Sequence, residues 1–163
     1  MIEIVKYTKK HKDSLLKLLN NKNVSDWLLL VPYPYTDKNA KWWINHCRKF
    51  EGNGKDFIFA LENNGEHIGG IALHKNSEHS AELGYWLGEP YWGKEYMVDA
   101  INKILNFGFK ELKLTRIYAH AFENNINSEK VLIKSGFKYE GLLKKFHKKG
   151  ETFINSKLYA KVI

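Results

Sequence analysis

Residues 81–110, AELGYWLGEPYWGKEYMVDAINKILNFGFK, constrain the fold more than any other stretch of this chain. Ala81 to Leu87 is apolar and aromatic and predicts a buried strand. Gly88, Glu89 and Pro90 break it, because proline fixes φ and carries no amide donor. A helix follows Trp92-Gly93-Lys94, with Met97, Ile101, Ile104, Leu105 and Phe109 spaced to share one face. A strand that runs through a loop into a helix N-terminus is a ready anion site. The first amides of the helix lack partners, and the dipole is positive there. The unit therefore predicts a seat for the phosphates of a cofactor.

The rest of the chain sets the boundaries around that unit. Its 163 residues predict one domain over 1–163, large enough for a sizeable core, and an apolar share of 44% argues against disorder. The single cysteine, Cys47, cannot form an intrachain disulfide, which fits a reducing compartment. No apolar leader follows Met1, and no run reaches the ~18 residues of a membrane span. The expectation is a soluble cytoplasmic protein that does not engage a membrane. The net charge of +8 invites a nucleic-acid reading. Lysine and asparagine are spread along the whole chain, however. The one dense cluster is Lys144-Lys145 with His147-Lys148-Lys149, beside a predicted turn. Attraction of an acidic protein substrate or a cofactor phosphate explains the charge better than nucleic acid does.

Ile2 to Tyr7 alternates as a strand, and Thr8 can cap a helix carrying Leu15, Leu16, Leu18 and Leu19. Val24 to Val31 predicts a second helical piece. Pro32-Tyr33-Pro34-Tyr35 is extended, because each proline restricts the residue before it. Its two tyrosines either line a pocket or pack as a connector. Thr36 or Asp37 caps a helix with Ala40, Trp43, Ile44 and Cys47 on one face. Phe57–Glu62 and Ile68–His74 form a hairpin around Asn63-Asn64-Gly65. Beyond the central unit come a strand over Thr115–Ala121, a helix beginning at Asn127 or Ser128, and strands over Phe137–His147 and Thr152–Val162. The order implies an α/β fold: a mixed, mostly antiparallel seven-stranded sheet with helices on both faces, and its fourth and fifth strands parallel.

Four stretches in this order resemble the GNAT N-acetyltransferase superfamily and, within it, the RimJ/RimL-like ribosomal-protein N-acetyltransferase branch. They are Pro32-Tyr33-Pro34-Tyr35-Thr36 with Trp42-Trp43-Ile44, then Ala81 to Leu87, then Pro90-Tyr91-Trp92-Gly93-Lys94, and lastly Asn125-Ile126-Asn127-Ser128 with Ser135-Gly136-Phe137. The resemblance implies that acetyl-CoA enters between the splayed fourth and fifth strands. Its pantetheine would pair with backbone near Trp86, Leu87 and Gly88. Its pyrophosphate would sit on amides from Trp92 through Gly93, Lys94, Glu95 and Tyr96 to Met97. Asn125 would reach the pantetheine, and Ser128 would lie near the leaving sulfur. A homodimer is common in such a family.

Two departures matter. Glu95 and Met97 stand where the family usually has small residues. A carboxylate there repels pyrophosphate unless it points to solvent or pairs with Lys94, and a bulky Met can crowd the turn. Either the loop still binds through its amides or the cofactor has been lost. Leu132 stands where many relatives outside the branch have a tyrosine, so no general acid carries over to that position.

Acetyl transfer to an amine needs a proton acceptor, a donor for the tetrahedral oxygen, and support for the thiolate. Glu82 is the candidate base, since burial in an apolar strand would raise its pKa; otherwise it is a solvent-side residue of an alternating strand. Leu87 or Gly88 N–H is the candidate oxyanion donor. Ser128 either bonds the leaving sulfur or is a plain helix cap. Tyr33, Tyr35 and His147 are candidate walls for the amine. The other strand histidines, His67, His74, His79 and His120, read as structural. No metal-binding, serine-hydrolase or dinucleotide motif is present, so no metal is expected. The expected function is acetyl-CoA-dependent N-acetylation of a primary amine, on a protein N-terminus or a small molecule. The alternative is a non-catalytic CoA-binding or regulatory module.

Overall fold

A computed structural model describes residues 1–163. The chain runs β1 (Ile2–Val5), α1 (Lys12–Leu19), α2 (Lys22–Ser25), α3 (Asp37–Phe50), β2 (Asp56–Asn63), β3 (Glu66–Lys75), β4 (Ser80–Leu87), α4 (Tyr96–Lys110), β5 (Arg116–Phe122), α5 (Ile126–Lys134), β6 (Lys138–Lys149) and β7 (Thr152–Val162). The seven strands form one sheet in the order β1-β2-β3-β4-β5-β7-β6. Only β4 and β5 are parallel, with α4 crossing over between them; β1 and β2, also joined through helices, pair antiparallel.

Local chemistry accounts for most of these boundaries. Thr36 caps α3 by accepting from the Asn39 amide, and the Asn39 side chain accepts from the Thr36 amide. Asn64 and Gly65 take φ of 52° and 80°, which turns the β2–β3 hairpin tightly. The α5 cap is Asn125, whose side chain accepts from the Ser128 amide, so the helix starts earlier than Asn127. The expected helical piece over Val24–Val31 shrinks to Lys22–Ser25, followed by turns. The Pro-Tyr segment includes a cis Tyr33–Pro34 peptide.

Each face of the sheet has its own core. The larger contains Leu61, Leu73, Ala81, Leu83 and Ile117 from the strands, with Met97, Ile101, Ile104 and Leu105 of α4 and Leu132 of α5. The smaller contains Tyr7, Leu15, Tyr35, Ala40, Ile44 and Cys47, with Trp86 and Trp92 against it. Strand alternation follows from this division. Ala81 and Leu83 of β4 and Ile117, Ala119 and Ala121 of β5 point into the larger core. The intervening side chains, Glu82, Gly84 and Trp86 on β4 and Tyr118, His120 and Phe122 on β5, share the opposite face.

Candidate active site

β4 and β5 pair only at Ser80↔Arg116, Ala81↔Ile117 and Glu82↔Tyr118. Beyond Glu82 the strands part, and β5 continues on β7 through Phe122. The result is a fork whose one edge is β4 from Leu83 to Leu87. Gly88 N–H donates to Ile68 O at 2.9 Å, toward β3. Amides alternate between the two edges of a strand, so the Leu87 amide points into the fork. Of the two expected oxyanion donors, Gly88 is therefore committed to the sheet and Leu87 is available.

The loop below the fork fits a pyrophosphate. The amides from Gly93 to Val98 have no protein acceptor. Gly93 and Glu95 take φ of 74° and 60°, which bends the loop into the first turn of α4. The Glu95 carboxylate bonds Lys134 of α5 instead of Lys94, and that contact draws its charge away from the amides. Lys94 lies over the Tyr91 ring at 5.9 Å. Met97 does not crowd the turn; its side chain is buried in the larger core. Tyr96 offers its amide, while its hydroxyl accepts from Asn63 at 3.4 Å. Trp92 Nε1 donates to Leu87 O at 2.8 Å and pins the loop to the end of β4.

At the closing point of the fork, Glu82 Oε1 lies 2.9 Å from His120 Nδ1. The expected rise in the Glu82 pKa is not what the structure gives. The hydrogen bond from His120 outweighs burial and holds the carboxyl below its ordinary range. His120 stacks on Phe146 at 4.7 Å and meets His147 edge-on at 5.8 Å. Phe122 touches His147 at 5.6 Å and Trp27 at 6.5 Å. Burial, with His120 nearby, lowers the His147 pKa. A cavity of about 540 Å³ opens on this side, lined by Arg116, Tyr118, His120, Leu143, Phe146 and others. Gly84 leaves open space between Glu82 and Trp86, since a Cβ there would meet nothing within 4 Å.

The other expected residues divide. Tyr35 is not a wall: it is 6% exposed, packed in the smaller core, with its pKa pushed up to about 12 by burial. Tyr33 is exposed, with the Lys22 ammonium 5.4 Å from its ring centre. Trp27, earlier in the same connection, supplies the aromatic contact to β5 instead. Asn125 spends its side-chain oxygen on the cap and keeps its amide group. Ser128 Oγ lies 2.7 Å from the Tyr85 hydroxyl. Sequence reasoning missed His120, Trp27, Phe122 and Phe146. The only signal for His120 and Phe122 was the two-residue alternation of β5, which sets them on one face without showing what lies opposite.

Residues 2–138 match the model of the acetyltransferase (GNAT) domain. The chain belongs to the GNAT acetyltransferase family. It is an N-acetyltransferase, and its acetyl donor is acetyl-CoA. The uncharacterized N-acetyltransferase YnaD of Bacillus subtilis (strain 168) is 35% identical over 128 residues, 77% of this chain and 74% of that one. Two solved structures share this GNAT fold. The microcin C7 self-immunity acetyltransferase MccE, in complex with acetyl-CoA and AMP, superposes with a TM-score of 0.91 at 21% identity, covering 99% of this chain and 92% of that one. RimL, the ribosomal L7/L12 α-N-protein acetyltransferase in complex with coenzyme A, does so at 0.89 and 19% identity, covering 99% and 94%. The ribosomal-protein-serine acetyltransferase of Escherichia coli (strain K12) is 28% identical over 114 residues, 69% of this chain and 63% of that one, a likeness to the RimJ/RimL-like branch.

Proposed function

We propose that Glu82 and His120 together take the proton from a primary amine that attacks the acetyl thioester directly in the fork between β4 and β5. The acceptor is a protein N-terminus or a small amine. One observation carries this reading: a carboxylate–imidazole pair stands where the two strands part, on the face that also holds the aromatic cavity.

A carboxylate only accepts, so His120 gives its Nδ1–H to Glu82 and keeps a lone pair on Nε2, which has no protein partner. Glu82, ionised at neutral pH, attracts the ammonium form of the acceptor. The pair then receives the proton that must leave before nitrogen can attack. Leu87 N–H donates to the oxygen of the tetrahedral centre. The amides from Gly93 to Val98 hold the pyrophosphate, with Trp86 and Leu87 backbone alongside the pantetheine and the Asn125 amide reaching it. Ser128 stands at the sulfur. His120, His147, Phe122 and Trp27 form the walls for the amine, and aromatic faces suit a cation. Gly84 keeps the route from wall to thioester clear. No covalent enzyme intermediate is needed. One acetyltransferase domain over residues 1–163 accommodates all of these roles.

RimL and MccE, each solved with coenzyme A or acetyl-CoA on this fold, support the place of the donor. Fold does not fix the acceptor. Calorimetric titration with acetyl-CoA, with coenzyme A as control, tests the first step, and panels of amines and peptides then test turnover. Micromolar binding followed by loss of the thioester with at least one amine is the expected result. Absence of binding at millimolar ligand would overturn the reading of the loop.

A further inference from the structure

The hydrogen bond between Tyr85 and Ser128 joins two sides of the fork. Tyr85 lies on β4 beyond its last pair with β5, and Ser128 lies in the first turn of α5, which follows β5. Their hydroxyl oxygens are 2.7 Å apart. Ser128 does not use its hydroxyl as a cap, since Asn125 caps α5 and holds the Ser128 amide at 3.1 Å.

Chemistry sets the direction of this bond. A phenol is a stronger acid than an aliphatic hydroxyl and therefore the better donor. The only other acceptor near the phenol is Ser128 O at 3.4 Å, a long contact. With the Tyr85 proton given to Ser128 Oγ, the serine proton is free to point into the fork. Tyr85 packs against the larger core, and burial raises its pKa, so the phenol stays neutral and stays a donor.

We propose that Tyr85 is a positioning residue that acts through Ser128 on the leaving sulfur: Tyr85 O–H donates to Ser128 Oγ, and Ser128 O–H donates to the developing thiolate. This rests on the fork being the acetyl-CoA site. As the amine nitrogen bonds the acetyl carbon, the C–S bond breaks and its electron pair goes to sulfur. The Glu82–His120 pair has by then passed the first ammonium proton to water, and it takes the second, which nitrogen loses as it becomes the amide, while coenzyme A leaves as the thiolate. Ser128 gives sulfur a hydrogen bond and no proton, because a serine hydroxyl is a much weaker acid than a thiol. Hydroxyls in series polarise one another, so the Tyr85 donation strengthens that of Ser128.

The test uses coenzyme A bound to the whole protein and needs no acceptor. The thiol of bound coenzyme A is titrated by ultraviolet difference absorbance in wild type, Tyr85→Phe, Ser128→Ala and the double variant. In wild type the bound thiol is expected to titrate below the free thiol. Tyr85→Phe raises that value by only a fraction of the roughly half to one unit that a whole hydrogen bond is worth, because the bond from Ser128 to sulfur is weakened and not lost. Ser128→Ala raises it at least as far, and the double variant matches Ser128→Ala alone. An unchanged value in Tyr85→Phe, or additive shifts in the double variant, would overturn the proposal. 3-Fluorotyrosine at position 85 keeps the shape and acidifies the phenol, so it should lower the thiol value further; no change there also overturns it, even if Tyr85→Phe does not fold. Calorimetry on the same samples separates the two levels. Absence of coenzyme A binding to wild type overturns the cofactor reading itself, whereas binding with an unshifted thiol overturns only the role of Tyr85.

Discussion

At the scale of single residues, charges in this site are placed by partners that sequence does not reveal. Glu82 was readable as a carboxylate in an apolar strand, and burial alone would have raised its pKa. The imidazole of His120 reverses the sign. Held below its ordinary range by the His120 hydrogen bond, Glu82 stays ionised at neutral pH and contributes no acid limb to activity there. Glu82→Gln is expected to lower kcat by about 100-fold between pH 7 and 8 while acetyl-CoA affinity stays within about twofold. Steady-state kinetics with calorimetry check this, and unchanged kcat removes Glu82 from the proton path. Glu95 shows the same principle on the surface. Its charge is taken by Lys134 in a solvent-exposed pair, while its left-handed φ of 60° disfavours any side chain. Both Glu95→Gly and Glu95→Ala lose the pair, but only glycine relieves the backbone. Urea denaturation should find Glu95→Gly more stable than Glu95→Ala by about 1 kcal/mol. Equal stabilities would mean that the turn does not keep its left-handed residue.

At the scale of elements, the site is a consequence of where β4 stops pairing with β5. The strand itself was legible from Ala81 to Leu87, and so was its parallel partner, because a helix separates them. The position of the fork was not legible, since β5 pairs with β7 along all of Arg116–Phe122 but with β4 only as far as Tyr118, and no local signal sets where that second pairing ends. Gly84 lies just past that point. A glycine within a strand weakens it unless something must approach closely. Space is free around its Cβ position, so Gly84→Val should fold normally and even suit a strand. It should nevertheless reduce kcat/KM for the acceptor by about tenfold or more, with acetyl-CoA binding little changed. Kinetics at saturating acetyl-CoA would show this, and an unaffected acceptor kcat/KM would place the amine elsewhere.

At the scale of the whole molecule, a second buried polar group couples stability to pH away from the site. His67 is 6% exposed, between α1 and the sheet, and burial lowers its pKa to about 4. In the unfolded chain the group titrates at about 6.5. The folded state therefore resists protonation. The stability associated with neutral His67 is complete above pH 6.5 and is lost as pH falls toward 4, by about 3 kcal/mol in total. Denaturant titrations of wild type and His67→Gln from pH 7 to pH 4 should converge by that amount. Parallel curves would show that His67 is not the group responsible. No helix in the protein is long and apolar enough to cross a membrane.

What the sequence determined by itself was local and periodic. Apolar spacing defined α3 and α4, alternation defined the strands, and Asn64-Gly65 and Thr36 marked a turn and a cap. Those signals act between residues a few positions apart, and they yield element order and family. Tertiary structure alone decided which distant side chains meet. Tyr35 and Tyr33 look alike in Pro-Tyr-Pro-Tyr, yet one is core and the other surface. Glu82 found His120, 38 positions away, Glu95 found Lys134, 39 away, and Tyr85 found Ser128, 43 away. The physical reason is that strand register and helix docking, fixed by burial of the two cores, set those distances, and hydrogen bonding and charge act only once the distances are short.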